Sequence, residues 1–559
     1  MSRRRGVARF AVVAVVALAS TLVGSAAVAA PPAGVNMEGT GPPPTGVGLF
    51  SKAALAQEHC AKNGQTWSTY EGGGPWCVNP WPAGKKNGGA TAQGVTATGV
   101  KIIAYVPNDQ MLAASTSPKP VDQTTKQPAT VANAFKDIEE AYSYAAEHNG
   151  TYQLWGRKPE IELFTASGAD EAAQRADAVA VIAKKPFMVV DATSTTAGAP
   201  VFSTTVANSK IIVASASTDA KAGTNQAPYR WNTTNDPSSL PVVTAAFIGK
   251  SLNGKKAQWA GDNALAGKTR TFGAVYPTSG VDFAAFERLL TQNGGKVTEK
   301  LSYDPAAAQT GSVDFSTLVT RLKSSGVTSV ILFVPRDVVK SLMSLATSQD
   351  YFPEWIYTGV QFHEYMNLAR TNDPKQMAHA FGLAQIGPYL TNDPRITIPD
   401  WYWGTSQGAT WPGALGPLEF IYTSMHYAGP NLTAQNVQKG LFAAPAQKEA
   451  RVAIGKWGYG KTVGTPYDAV GANGSDRALI WWDPDTEGQA LATPLGKGVW
   501  QYLNNGENVG YKEFTKTEPK FFDKTVSVKE RNALDYYPGG VAPAPIPCDQ
   551  CPKNGGAPS

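Results

Sequence analysis

The sequence predicts an α/β protein made of two successive lobes, each a parallel sheet covered by helices. Three observations carry this expectation. Short continuous apolar runs, such as 187–190, 211–214 and 327–335, have the pattern of strands buried on both faces. The segments between them place apolar residues three and four apart, the helical period. The alternation of strand and helix pauses at Asp236-Pro237 and then starts again. With 559 residues, the chain is too long for one hydrophobic core.

The first thirty residues read as an export signal. Arg3, Arg4 and Arg5 form a basic start, residues 10–23 are apolar, and Ala27-Val28-Ala29 supplies small residues for cleavage near Ala29-Ala30. The apolar run is short for a membrane span, although an uncleaved anchor is the alternative. No cysteine precedes Cys60, so there is no site for a lipid anchor next to the apolar run. The chain carries a formal charge of +5. The signal holds four arginines and no acid, so its removal leaves the mature chain near +1. A near-neutral chain without basic runs gives no argument for nucleic-acid binding.

Residues 31–93 form a loop-rich extension in which Pro42-Pro43-Pro44 and Gly72-Gly73-Gly74-Pro75 exclude long helices and central strands. Trp67, Trp76 and Trp81 imply that part of it packs onto the rest of the chain. The four cysteines, Cys60, Cys77, Cys548 and Cys551, lie outside the strand-helix middle. In an exported chain an even number reads as disulfides. Cys60–Cys77 with Cys548–Cys551 is the simplest of three connectivities. A zinc site built on Cys548 and Cys551 lacks a second close pair.

From residue 94 the elements follow in order. A strand is expected at 100–107 and a helix at 130–148, with Val131, Phe135, Ile138, Tyr142 and Ala145 on one face and Gly150 as its stop. A strand at 160–167, an alanine-rich helix at 169–184 and the strands 187–190 and 211–214 complete the first run. The second run reads helix 238–251, strand 271–276, helix 281–292, strand 296–304, and a helix marked by Phe315, Leu318 and Leu322. It continues with strand 327–335, a helix marked by Val338, Leu342 and Leu345, and strand 354–360. Helices at 413–427 and 433–442, a strand pair at 477–485 and 497–503, and a Pro/Gly-rich tail from 521 to 559 close the chain.

Several segments together carry a resemblance: GVTATGVKIIAYVPND (94–109), APVFSTTVANSKIIVASAS (199–217), APYRWNTTNDP (227–237), 331–359, and WWDPD with GKGVWQYL (481–503). In order and character they resemble exported solute-binding proteins of ABC transporters, of the type I periplasmic-binding fold. The branched-chain amino-acid and amide receptor group, in its long actinobacterial form, is the nearest in character. The resemblance spans about 94–515. It implies two lobes joined by a three-crossover hinge, with lobe 1 at 94–235 plus 388–470 and lobe 2 at 236–387 plus 471–520. It also implies a small polar solute in the cleft, an ABC permease as membrane partner, a monomer, no cofactor and no metal. The chain departs from the smaller receptors in its extension, its cysteine-bearing tail and a long insert at 108–130.

In open parallel sheets ligands sit at the carboxyl ends of the strands. Asp191, Thr193 and Ser194 follow one strand there, and Ser215 and Ser217 follow the next. Hydroxyls and backbone N–H groups at strand-to-helix turns suit a solute carboxylate, and Ser and Thr also serve as helix caps. An ammonium end calls for a carboxylate, for which Asp109, Asp191 and Glu364 stand at strand ends. Trp231 and Tyr276 are placed to cover the solute, or else belong to the core.

Two alternatives remain. One is a ligand sensor of the same fold without transport. The other is a secreted serine hydrolase using Ser406, since Gly404-Thr405-Ser406-Gln407-Gly408 matches a nucleophile elbow. The elbow needs a strand before it and a helix after it, whereas residues 400–403 make a poor strand and Pro412 follows closely. Glu419 and His426 are the acid and histidine available downstream. No phosphate-binding glycine loop and no close pair of histidine ligands is present, so a cofactor enzyme is unsupported.

Overall fold

The computed structural model describes residues 41–532 except 70–72, 115–118, 123–124, 126, 194–198, 217, 234–236, 361–362, 386, 388, 391–396, 404–410, 447–457, 462–465, 475, 490–494 and 530. The export signal, Ser194, Ser217, the Ser406 motif, Cys548 and Cys551 lie outside the described residues.

The first sheet is parallel, with five strands: β1 (Gly99–Val106), β2 (Lys158–Thr165), β3 (Met188–Asp191), β4 (Ile212–Ser215) and β5 (Arg230–Trp231), ordered β2-β1-β3-β4-β5. In β3 and β4 every residue is buried, as continuous apolar strands covered on both faces should be. The Val131–His148 helix begins where the Thr130 hydroxyl accepts from Asn133 N–H, and it buries Ala134, Phe135, Ile138, Ala141, Tyr142 and Ala145. The Pro412–Ala428 helix packs beside it and over β3 and β4. Gly416 permits this: a Cβ there would lie 2.3 Å from the Thr233 carbonyl oxygen.

The second sheet repeats the order. Strands β6 (Phe272–Pro277), β7 (Glu299–Tyr303), β8 (Ser329–Leu332), β9 (Glu354–Tyr357) and β10 (Ala380–Ala384) run parallel as β7-β6-β8-β9-β10. The two-lobe α/β expectation is met. Burial at the amino ends of these strands is polar as well as apolar. Arg270, just before β6, donates through Nε and Nη2 to both carboxylate oxygens of Glu354 at 2.7 and 3.0 Å, with both side chains fully buried. Ser329 on β8 and the Trp259 amide add two more donors to Glu354. Arg270 also pairs with Glu518, which anchors the late chain under this sheet.

The chain passes between the sheets three times. After β5 it crosses at 232–239 into helices that pack in the second lobe. After β10 it returns through β11 (Tyr389–Leu390), which pairs with Arg531–Asn532, and the Ile398–Trp403 helix, which packs on Val131–His148. The hairpin β12 (Gly458–Lys461) and β13 (Asp468–Asn473) stays with the first lobe. From β13 the chain crosses into β14 (Asp476–Gln489), which pairs antiparallel with β10 and with β15 (Leu495–Leu503). The expected strand pair is therefore present and longer than its apolar core. The short β16 (Val509–Gly510) pairs with β14, and β17 (Ser527–Lys529) with β15. Among the described residues no helix is long and apolar enough to cross a membrane.

The described residues between 41 and 93 run mostly as loops and turns, and part of them lies in the first lobe's core. Val47, Leu49, Phe50, Trp76 and Val78 are buried in the cluster that holds β1, β3 and the Pro412–Ala428 helix. The Cys60–Cys77 disulfide closes the loop that presents Trp76. The Trp76 amide donates to the Tyr427 hydroxyl, its indole N–H to the Pro445 carbonyl, and its carbonyl accepts from His426 Nε2. Arg157 fastens a later part. Its guanidinium is buried and donates to four backbone carbonyls, those of Thr96, Pro430, Asn87 and Gly89.

Candidate functional site

The carboxyl ends of β3 and β4 form one polar cluster. Asp191, the last residue of β3, is buried, and four donors reach its carboxylate. Thr193 gives its amide at 2.9 Å and its hydroxyl at 2.6 Å to Oδ1. Ser215 at the end of β4 gives its hydroxyl to Oδ2 at 2.8 Å, and the Ala199 amide, which opens the Pro200–Asn208 helix, gives a fourth bond at 2.8 Å. The carboxylate thus sits at a helix start, where an anion is favoured. Asp191, Thr193 and Ser215 are brought together by this network, and Asp191 organises the turn as an acceptor.

Asp109 is exposed at the first turn of the Asp109–Ala114 helix, inside the 108–130 insert. Asn108 caps that helix by accepting from Met111 N–H. Asp170 and Asp219 cap the helices after β2 and β4, accepting from Ala173 and Ala222 amides. The connections at this edge, residues 107–109, 166–170, 192–199 and 216–219, contain no lysine or arginine. The first sheet therefore ends in hydroxyls, amides and carboxylates.

The carboxyl edge of the second sheet holds a different set. After β9, Gly359 turns in the left-handed region at φ +80°, which favours glycine. Its amide donates to His363 Nε2 at 3.3 Å, and the other ring nitrogen donates to the Val334 carbonyl at 3.2 Å after β8. Burial pulls the His363 pKa down to about 3, although the bond to the Val334 carbonyl favours the charged ring. Glu364 is fully buried and accepts from the Gln385 amide at 2.6 Å, and Gln385 Nε2 donates to the Gly359 carbonyl. Glu364 therefore ties the end of β9 to the chain leaving β10.

The aromatic candidates divide. Trp231 lies in the core. It belongs to β5, its indole N–H donates to Pro228 O, and Phe420, Phe442 and Tyr459 surround it. Tyr276 is half-buried and stacks on Phe283 at 3.6 Å.

Of the residues proposed for a hydrolase, the described Glu419 and His426 are engaged elsewhere. His426 uses both ring nitrogens on backbone, accepting from Gln153 N–H at 2.8 Å and donating to Trp76 O. Glu419 accepts from the Tyr142 hydroxyl. Residues 398–403 form a helix, so the strand that an elbow requires does not precede the Ser406 motif.

Sequence reasoning passed over Arg477, Ser239 and Gln385, which stand where the chain changes lobes. One signal was available for Arg477, a charge heading the apolar strand that follows Asn473-Gly474-Ser475.

No family model matches the sequence. No curated protein matches it. Solved structures similar to this chain include solute-binding proteins. They include the leucine-, isoleucine-, valine-, threonine- and alanine-binding protein from Brucella ovis in a closed conformation, with TM-score 0.45, 11% identity, and coverage of 75% of this chain and 97% of that one. A solute-binding protein of an ABC transporter from R. palustris, in complex with 4-hydroxybenzoate, gives TM-score 0.42, 14% identity, and coverage of 76% and 100%. A leucine-binding protein from Thermotoga maritima gives 0.41, 12%, and coverage of 74% and 97%.

Proposed function

We propose that this protein is an exported solute-binding receptor that captures a small polar solute between its lobes and hands it to an ABC importer. The observation that carries the reading is the repeated sheet. Two parallel sheets share one strand order, three crossings join them, and both carboxyl edges end in polar clusters built on Asp191 and Glu364. In such sheets the carboxyl edge is where ligands bind.

Energetics favour capture by two lobes over binding at one edge. A hydrogen bond to a charged group contributes about 1.5–3 kcal/mol, whereas association costs about 4–15 kcal/mol. Three bonds at one strand edge barely offset that cost. Enclosure from both sides adds apolar burial and water exclusion. The connections after β1 to β4 supply hydroxyls and carboxylates, and the nearby Arg230 guanidinium is already taken up by Thr218, Thr204 and Gln226, which suits a solute with an amine or amide group. Ser194 and Ser217, in the connections beside Asp191 and Ser215, are the further contacts proposed, with Asp109 and Tyr276 at the rims.

The export reading rests on the basic and apolar start of the chain and on the Cys60–Cys77 disulfide, which suits an oxidising compartment. N-terminal sequencing of the secreted protein should begin close to residue 30.

A thermal-shift screen of amino acids, amides and small amines tests the binding reading. A solute at a hundred times its Kd should add about 2.7 kcal/mol of stability. Binding that survives unchanged in a Ser194→Ala/Ser217→Ala double variant would remove those serines from the site. Silence across the panel, together with an esterase activity lost in Ser406→Ala, would overturn the receptor reading.

A further inference from the structure

The crossings are tied to one another by buried polar side chains, and Arg477 stands at their centre. It is the second residue of β14, immediately after the third crossing, and it is 5% exposed. Nη1 donates to the Gly474 carbonyl on the third crossing at 2.8 Å and to the carbonyl of its neighbour Asp476, which opens β14, at 2.7 Å. Nη2 donates to the Ser239 hydroxyl at 3.3 Å, at the end of the first crossing, and Ser239 in turn donates to the Gly474 carbonyl. The first and third crossings are therefore joined through one guanidinium and one hydroxyl. The Asn232 amide adds a backbone tie, donating to Val470 O at 2.9 Å. The second crossing enters through charge. Gln385, its first residue, donates to Glu364, whose carboxylate acts electrostatically on Arg477.

Two features make this more than packing. Arg477 Nε is buried and meets no acceptor among the described residues. A buried donor left without a partner costs about 1–3 kcal/mol, so the arrangement described does not fully satisfy the guanidinium. The acceptors it does use are on the chain segments that must rotate if the lobes move. A buried charge hydrogen-bonded to two such segments sets the angle at which they meet the second sheet.

We propose that Arg477, with Ser239, is the positioning residue of the interlobe hinge and sets the resting separation of the lobes. This rests on the receptor reading for its purpose and on the hydrogen bonds for its mechanism. Arg477 touches no solute. It acts by holding the first and third crossings in one register, so that the two carboxyl edges stand at one distance before any solute arrives.

The test is a distance measurement that needs no solute. Spin labels are placed on cysteines introduced at Val179 and Asp337, both exposed and on helices of different lobes. The mature chain carries serines in place of Cys548 and Cys551. With Arg477 and Ser239 intact, one narrow distance distribution is expected. Arg477→Met and Ser239→Ala should each broaden it or add a second peak, and Arg477→Lys should restore less than the full narrowing, because an ammonium cannot span the same acceptors. Ser239→Ala removes only a hydroxyl, so it keeps the test decisive if Arg477→Met does not fold. Identical distributions in folded Ser239→Ala and in the Arg477 variants would overturn the proposal. Because no solute is present, a failed ligand screen leaves this result standing, and a hinge that proves indifferent to Arg477 leaves the receptor reading standing.

Discussion

Ser215 on β4 donates its hydroxyl to the carboxylate of Asp191 on β3 at 2.8 Å, closing the ends of two neighbouring strands with a single bond. Thr193 and Ala199 complete the shell, so the carboxylate holds the turn on both sides. Asp191→Ala should strand several buried donors at once. The expected loss is about 3 kcal/mol or more, from ~1–3 kcal/mol per unsatisfied group. Asp191→Asn, which keeps an acceptor, should lose less. Urea unfolding measures both, and equal midpoints for wild type and Asp191→Ala would contradict this account.

The pair Arg270–Glu354 is fully buried, so its two members depend on each other. Removing one leaves a buried charge, at a cost of about 3–5 kcal/mol. Glu354→Ala should therefore destabilise strongly, although Glu518 stays with Arg270. Arg270→Met together with Glu354→Leu should be markedly milder than either single change. A double-mutant cycle by chemical denaturation checks this.

Acid should weaken the protein through two histidines. Burial lowers His426 to about 4 and His363 to about 3, both below the usual value near 6.5. The unfolded chain therefore takes up protons first as pH falls. Stability from these groups is complete above about pH 6.5, declines below it, and is exhausted for His426 near pH 4 and for His363 near pH 3. For His426 the loss is on the order of 3 kcal/mol. Unfolding midpoints measured from pH 7 to pH 4 should fall steadily. Protonation at His426 Nδ1 opposes the Gln153 amide, so the extension around Trp76 should be the first part to gain protease sensitivity.

Loss of the Cys60–Cys77 bond acts on the same region. The cysteines are 17 residues apart, and opening a loop of that size costs about 3 kcal/mol in the chain-entropy account. A Cys60→Ser/Cys77→Ser variant should melt lower and be cut first within residues 60–77 by a dilute protease. Cleavage elsewhere at the wild-type rate would show that Trp76 holds the loop without the disulfide.

Regular elements were legible where burial imposed a local pattern. The Val131–His148 helix shows its buried stripe directly, and β3, β4 and β8 read as apolar runs because both their faces are covered. β5 was missed because it has two residues and one is Arg230, buried among Thr204, Thr218 and Gln226. That also explains Trp231: without the strand, an indole near a crossing looks free to face a solute. Residues 400–403, Asp-Trp-Tyr-Trp, read as a poor strand and carried no helical period, and packing on the Val131–His148 helix makes them helical. The extension carried no readable period, since Val47, Leu49, Phe50 and Trp76 enter the core from loops. At the site, Asp191, Thr193 and Ser215 were readable because strand ends announce themselves. Arg477 and Ser239 were not, because they meet across 238 residues of chain and no local pattern records that contact.

Arg157 holds the end of the extension at Asn87 and Gly89 to Thr96 and Pro430, and it does so through four main-chain carbonyl oxygens and no side chain. A lock of this kind is indifferent to spelling. The bolt itself asks nothing of the letters that supply its acceptors, although Asn87, whose side chain donates to the Ala97 and Trp155 carbonyls, and Gly89, at φ +67°, are fixed on their own account, whereas insertions or deletions that shift the backbone would open it. The loop-rich border of this lobe should therefore tolerate changes of letter far better than changes of length.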